Sequence, residues 1–213
     1  DPIVPTSSQT NVSFPQIEGN PVGSSSGVIY KLWCGTPTNE YWLVENRQQV
    51  GFDASLPGSG LLIWHIDEDM PDNDTQWYPG LNALLGHYLV ALEQADGLWE
   101  LEHYYSYGDS GDPYHDSITG FGPLTTPNSN TYAGLDSLIG VRNISASGPV
   151  MTADLDISDP APGAPRSPMA ADTAGDSGGS ITVSWSKSTD DGRGYNDVVK
   201  YEVWRSTEAD GTF

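Results

Sequence analysis

Short runs of apolar and aromatic residues, separated by turn-forming residues, recur along most of this chain. Six runs are rich in β-branched or aromatic side chains and predict β-strands: 28–33, 40–46, 60–66, 88–93, 138–146 and 149–157. The unbroken apolar run at 61–64 favours a strand buried on both faces. The segment at 96–103 predicts a short helix or turn, and no internal repeat is present.

The segments between these runs have the composition of loops. Residues 1–27 are interpreted as an extended lead-in that ends in a flexible Gly/Ser stretch at 23–27. The acidic segment 67–87 predicts a long ordered loop. Residues 104–136 are rich in Gly, Asp, Ser and Asn and show little periodicity.

A change of composition at 158–168 predicts a domain boundary. Four prolines in these eleven residues indicate a stiff linker. Beyond it, 181–188 and 198–206 alternate apolar and polar residues, which predicts half-buried strands. We therefore expect a mainly β protein: a sandwich-like β-rich domain at 1–157 with long ordered loops, and a second β unit at 169–213.

Composition narrows the classes of function. Of 213 residues, 37% are hydrophobic, so a packed core is expected. The net charge of -21 repels phosphate backbones, which argues against nucleic-acid binding. No run reaches the roughly 18 apolar residues that a membrane span needs, and no signal peptide opens the chain. The single cysteine, Cys34, is expected to be a small buried apolar residue.

The acidic residues concentrate where basic residues are absent. No Lys or Arg occurs between Arg47 and Arg142. Carboxylates crowded in a compact fold repel one another, and bound divalent cations relieve that repulsion; a hydrated acidic surface is the alternative. Nine carboxylates in closely spaced loops are the predicted calcium ligands: Asp67, Glu68, Asp69, Asp72, Asp74, Glu93, Asp96, Asp109 and Asp112.

Other site chemistries stay open from the residues alone. His65 and His87 are alternative ligands for a transition metal together with Asp67. Trp77, Tyr78 and Trp99 are candidates for a sugar-stacking platform. A catalytic carboxylate pair can be found among so many acids by chance, and Asp190 to Asp197 forms either a small cation loop or an ordinary turn.

Five segments resemble a known family, and the region that they span, 40–157, is more than half of the chain. They read EYWLVENRQQVGFDASLPGSGLLIWHIDE (40–68), HYLVALEQADG (87–97), GDSGDPY (108–114), PNSNTY (127–132) and VRNISASGPVMTADLDI (141–157). In this order they resemble the region that follows the catalytic domain in immune-inhibitor-A-type secreted metalloproteases. The stretch 75–107 is longer and more aromatic than that family implies.

The resemblance implies a zinc metalloendopeptidase as the parent protein. The zinc-binding HExxH helix of the family lies upstream of the matching region, and the histidines here do not have that spacing. Zinc is therefore expected only in a catalytic domain outside this sequence, and no catalytic residue is assigned here. Residues 163–213 resemble the opening half of a fibronectin type III module. This resemblance implies a partial immunoglobulin-like β-sandwich at 169–213 in which Trp185 is buried.

These observations lead to one functional expectation and two rivals. We expect a non-catalytic, calcium-stabilised accessory segment that packs on the upstream protease domain of the same secreted, extracellular polypeptide. One rival is an extracellular structural or adhesive protein that self-assembles through open strand edges. The other is a carbohydrate-binding module that depends on Trp77 or Trp99.

Overall fold

The computed structural model describes residues 1–18, 27–34, 38–117, 119–158, 164–188, 191 and 198–205. Most of the Gly/Ser stretch, part of the predicted linker and most of the Asp190 loop lie outside these residues. The chain divides into two compact units, Asp1–Pro160 and Ala161–Phe213.

The described residues form a mainly β protein, as the sequence predicts. Their strands are β1 Gln9–Pro15, β2 Ile29–Trp33, β3 Glu40–Arg47, β4 Gly60–Asp67, β5 Val90–Leu92, β6 Ile139–Arg142, β7 Val150–Ile157, β8 Arg166–Asp172 and β9 Ile181–Ser186. Helical structure in these residues is limited to two 3₁₀ turns, Gly51–Ser55 and Ala83–Leu85. A membrane-crossing helix is not found among them.

The first unit contains two antiparallel sheets. One has the order β2-β3-β4-β5 and the other the order β1-β7-β6. β3 and β4 pair along their whole length, from Glu40 opposite Asp67 to Arg47 opposite Gly60. This long pairing places the polar ends of both strands beside the acidic loops.

The central strand β4 is buried mainly on one face. Leu61 and Ile63 are inaccessible to solvent, whereas Leu62 and Trp64 on the opposite face are half-buried. The prediction that 61–64 is buried on both faces is therefore corrected. An antiparallel sheet commonly packs one face on the core and leaves the other partly open, and this sheet does so.

The N-terminal segment is not only a lead-in. Residues 9–15 form β1, which pairs with β7, and this corrects the sequence interpretation. Val12 and Phe14 of β1 are buried. The register shifts between Gln9 and Val12, where Asn11 adopts a left-handed conformation with a φ of 52°.

The two sheets of the first unit pack against each other around one core. Phe14 of β1 meets Tyr30 of β2 edge to face, with ring centroids 4.9 Å apart. Buried Asn46 donates hydrogen bonds to the carbonyl oxygens of Phe14 at 2.8 Å and Gly148 at 3.0 Å. The largest fully buried side chains include Trp42, Phe14, Phe121, Leu32, Leu61 and Ile63.

The second unit is less regular than predicted. β8 and β9 form a two-stranded sheet, and β8 begins inside the predicted linker. The described part of the predicted strand at 198–206 belongs to no strand, because residues 198–205 have no ladder partner among the described residues. Trp185 is 39% exposed rather than buried, and its ring lies 5.8 Å from that of Tyr201.

Candidate functional site

Two turns of the first unit bring three aspartates together. Asp96 lies in the turn after β5, and Asp109 and Asp112 lie in the turn GDSGD. One carboxylate oxygen of each lies within 4.8 Å of those of the others. In the described part of the chain, this is the one group of three or more His, Cys, Asp or Glu side chains close enough to share a metal ion.

Local sequence shapes both turns. Asp96 Oδ1 accepts from the Leu98 amide at 2.9 Å, and Asp109 Oδ1 accepts from the Gly111 amide at 2.6 Å. Such Asx turns are typical of aspartate in loops. The Ala95 amide donates to the Asp112 carbonyl at 2.9 Å, which fixes one turn to the other.

Gly111 gives the aspartates room to converge. A Cβ at this position would lie 2.9 Å from Asp96 Oδ2 and 3.0 Å from Asp109 Oδ1. Any side chain there would occupy the space that the carboxylates enclose. The glycine therefore keeps the centre of the cluster free for a small ligand.

Asp112 has the most unusual environment of the three. Its residue is 5% exposed, and its Oδ1 is buried without a hydrogen-bond partner. Its Oδ2 accepts from the Asp109 amide at 2.7 Å. Burial, followed by the charges of Asp96 and Asp109, raises the pKa of Asp112.

Glu100, which was not among the predicted ligands, lies near the three aspartates. Partial desolvation, a hydrogen bond shared with Asp109 and nearby aspartate charges raise the pKa of Glu100. Gln94, which is fully buried, positions this segment because its Oε1 accepts from the Glu100 amide at 2.9 Å. The position of Glu100 in the sequence did not indicate that it lies near these aspartates.

The arrangement has the chemistry of a hard-cation site. Calcium binds oxygen ligands at about 2.3–2.6 Å, so two oxygens on one ion lie at most about 5 Å apart. The 4.8 Å limit for the aspartate oxygens meets this condition. The cluster contains no histidine or cysteine, which disfavours zinc and softer metals. These residues fit calcium.

The other predicted calcium ligands do not join the cluster. They are Asp67, Glu68, Asp69, Asp72, Asp74 and Glu93. Glu68 accepts from the Tyr41 hydroxyl at 3.0 Å, and Asp69 accepts from the Asn39 amide group at 2.6 Å.

The exposed acidic loop is held by hydrogen bonds within its described part. Asp72 Oδ1 accepts from the Asp74 amide at 3.0 Å. The side chain of Asn73 donates to the Val90 carbonyl at 2.9 Å and accepts from the Val90 amide at 2.8 Å. Asn73 therefore extends the pairing at the edge of β5.

Asp67 and Glu93 serve a buried histidine network. His65 faces Glu40 Oε2 with its Nε2 at 3.0 Å and Glu93 Oε1 with its Nδ1 at 3.2 Å. His87 faces Asp67 Oδ2 with its Nε2 at 2.8 Å. Sequence reasoning did not assign a role to Glu40, because its partner is 25 residues away on a neighbouring strand.

Aromatic rings separate the two histidines. Tyr132 stacks on His65 with centroids 4.3 Å apart and on His87 with centroids 3.7 Å apart. Trp42 stacks on His65 at 4.4 Å. Because Tyr132 contacts both imidazoles and each imidazole has its own carboxylate, the zinc site built from His65, His87 and Asp67 is not formed.

His65 is buried between two carboxylates that favour its protonated form. Burial alone would lower the pKa of His65, but hydrogen bonds and charge interactions with Glu40 and Glu93 outweigh it and raise the pKa. The Glu40 carboxylate also accepts from the Tyr132 amide at 2.8 Å, so the loop at 127–134 is fixed to the sheet.

Stability without calcium is expected to fall as the pH rises from about 5 to 8. Raised folded-state pKa values of Asp112 and His65 mean that the folded chain binds protons more tightly than the unfolded chain. The contribution of these two groups to folding stability is complete below their pKa values in the unfolded chain, about 4 and 6.5. It is lost as the pH rises through their pKa values in the folded chain. Urea unfolding across this range in EGTA measures the slope; a stability that rises with pH contradicts it.

No family model, curated protein or solved structure matches this chain.

Proposed function

We propose that this chain is a non-catalytic, calcium-stabilised accessory segment of a secreted zinc metalloendopeptidase. One observation carries the calcium part of the proposal: the buried, unpartnered Oδ1 of Asp112 beside Asp96 and Asp109. A buried carboxylate oxygen without a partner is costly, and a bound cation removes that cost. The protease part is supported by the resemblance of the chain to secreted metalloproteases.

The charge distribution supports a bound divalent cation. The cluster lies within the long stretch without Lys or Arg, so no side-chain ammonium or guanidinium from that stretch is available. Partial desolvation and the charges of Asp109, Asp96 and Asp112 raise the pKa of nearby Glu100, as expected where carboxylates are crowded. A calcium ion supplies two positive charges that favour the ionised form of these acids.

The partner in this proposal is the upstream protease domain of the same polypeptide. The four-stranded sheet presents an apolar outer face with a groove of about 520 Å³, lined by Ile29, Leu43, Trp64, Ile66 and Val90 among others. Apolar surface of this kind gains free energy when a second domain covers it. We assign this groove as the face that packs on the protease domain.

Calcium is expected to raise the melting temperature of the chain. An ion that binds only the folded state at 100 times its dissociation constant adds about 2.7 kcal/mol, roughly 5–10 °C for a chain of this size. Differential scanning calorimetry in calcium, in EGTA and in magnesium measures the effect. Equal melting temperatures in calcium and EGTA would remove the calcium proposal.

Contact with the protease domain can be measured through a thiol. Cys34 is 1% exposed and is the only cysteine, so Leu43→Cys adds one accessible thiol to the groove. Its maleimide labelling is expected to be fast in this chain and at least about tenfold slower in the polypeptide that includes the upstream protease domain. Phe52→Cys, at a residue 96% exposed, is the control. Equal labelling of Leu43→Cys in both proteins contradicts the docking face.

A further inference from the structure

A small cavity lies beside the histidine network and has no role in the proposed calcium site. Its volume is about 270 Å³, near the lower end of the usual range for small-molecule sites. Aromatic, carboxylate and amide side chains share the lining, including Trp77, Trp99, Tyr132, Glu93, Asn128 and Asn130. We propose that this cavity binds a single neutral sugar unit of a larger glycan.

Two tryptophans from separate loops form the apolar part of the cavity. Trp77 lies in the loop between β4 and β5, and Trp99 lies in the segment after β5. Trp77 meets Tyr132 edge to face at 4.9 Å, and its indole nitrogen donates to the Leu81 carbonyl at 3.3 Å. These contacts hold the indole in place before a ligand arrives, which lowers the ordering cost of binding.

The polar part of the cavity suits hydroxyl groups. Glu93 is held by His65, and Asn128 Oδ1 accepts from the Asn130 amide at 3.0 Å. Carboxylate and amide groups accept or donate two hydrogen bonds in one plane, which matches neighbouring hydroxyls on a sugar ring. The apolar face of the same ring can then pack on an indole.

The charges of the cavity restrict the class of sugar. Glu93 and the acidic surroundings repel uronic acids and sulfated sugars. A protonated amine is disfavoured because Glu93 Oε1 already pairs with His65 at 3.2 Å, a histidine whose pKa is raised. A neutral hexose or N-acetylhexosamine unit fits both conditions.

Titration calorimetry with the full chain tests this proposal. The probes are neutral oligosaccharides of glucose, xylose, mannose and N-acetylglucosamine, with oligogalacturonate and butylamine as charged probes. At least one neutral oligosaccharide is expected to bind, and Trp77→Ala and Trp99→Ala are each expected to weaken it about tenfold. Tyr107→Ala is the matched control, because Tyr107 is 99% exposed and lies outside this cavity.

A second variant keeps the test valid if removal of a tryptophan disturbs the fold. Asn128 is exposed, and Asn128→Ala is expected to weaken binding about two- to tenfold while it lowers the melting temperature by no more than about 5 °C. Absence of binding by every neutral oligosaccharide overturns the proposal. So does unchanged affinity in Asn128→Ala and in whichever tryptophan variants fold, or binding of a charged probe alone.

Discussion

Replacement of His65 by glutamine is expected to lower the free energy of unfolding by about 3–5 kcal/mol. His65 is 2% exposed and lies between Glu40 and Glu93, with nitrogen–oxygen distances of 3.0 and 3.2 Å. A neutral glutamine offers no positive charge to the buried Glu40 and the part-buried Glu93, and it can donate to both only with altered geometry. It also disturbs the stacking of Trp42 and Tyr132 on the imidazole. Urea unfolding at pH 6 measures the loss.

The matched control for this variant is His115→Gln. His115 also faces a carboxylate, Asp116, at 3.2 Å, but both side chains are largely exposed. Exposed pairs contribute little, so a change of less than about 1 kcal/mol is expected. If the two variants lose equal stability, the buried network is not the source of the effect.

Asp112→Asn is expected to weaken calcium binding by on the order of 100-fold, because calcium affinity depends on the number of charged ligands. The same change removes one of the crowded negative charges. The chain in EGTA is therefore expected to become more stable, while the chain in calcium becomes less stable than the wild type. Titration calorimetry measures the affinity, and urea unfolding in EGTA measures the opposite effect on stability.

Asp72→Asn distinguishes the three-dimensional cluster from the acidic loop. Asp72 belongs to the densest run of acids in the sequence, but its exposed carboxylate accepts from the Asp74 amide and does not join the cluster. The Asp72→Asn substitution is expected to leave the calcium affinity within about twofold of that of the wild type. Equal weakening by Asp72→Asn and Asp112→Asn would place the ion in the acidic loop and contradict the assignment.

Two of the strands that could be predicted from the sequence, β3 and β4, are strands whose own residues fill the core. β3 and β4 carry alternating or continuous apolar residues, and their bounds match the predictions within one residue. β1 was not predicted because Val12 and Phe14 are its only buried residues and its partner, β7, lies more than 130 residues away. A strand of this kind depends on tertiary pairing more than on its own propensity.

The candidate calcium site was predicted only in part, for a similar reason. Asp109 and Asp112 are close in sequence, so one turn brings them together. Asp96 joins them through the Ala95–Asp112 backbone hydrogen bond, and Glu100 is positioned by Gln94. Neither contact has a spacing that sequence patterns reveal. Dense acids at 67–74 gave a stronger sequence signal but face solvent or other partners.

The two tryptophans of the sugar cavity show the same difference between what the sequence predicts and what only the fold reveals. Trp77 and Trp99 were both candidates for sugar stacking, but only the fold brings them to one cavity. The polar residues that complete this cavity, Asn128 and Asn130, come from a loop that is fixed by Tyr132 and Glu40. These two asparagines reach the cavity because Tyr132 bonds to Glu40, 92 positions away in the sequence. Local sequence patterns contain no information about such a contact.

Equilibrium dialysis against calcium, followed by atomic absorption of the protein, measures the central claim most directly. The wild-type chain and Asp72→Asn are expected to retain a calcium ion that Asp112→Asn releases at the same free calcium concentration. If the calcium concentration in the wild-type sample does not exceed that in the buffer outside the dialysis membrane, a cation bound by Asp96, Asp109 and Asp112 is contradicted.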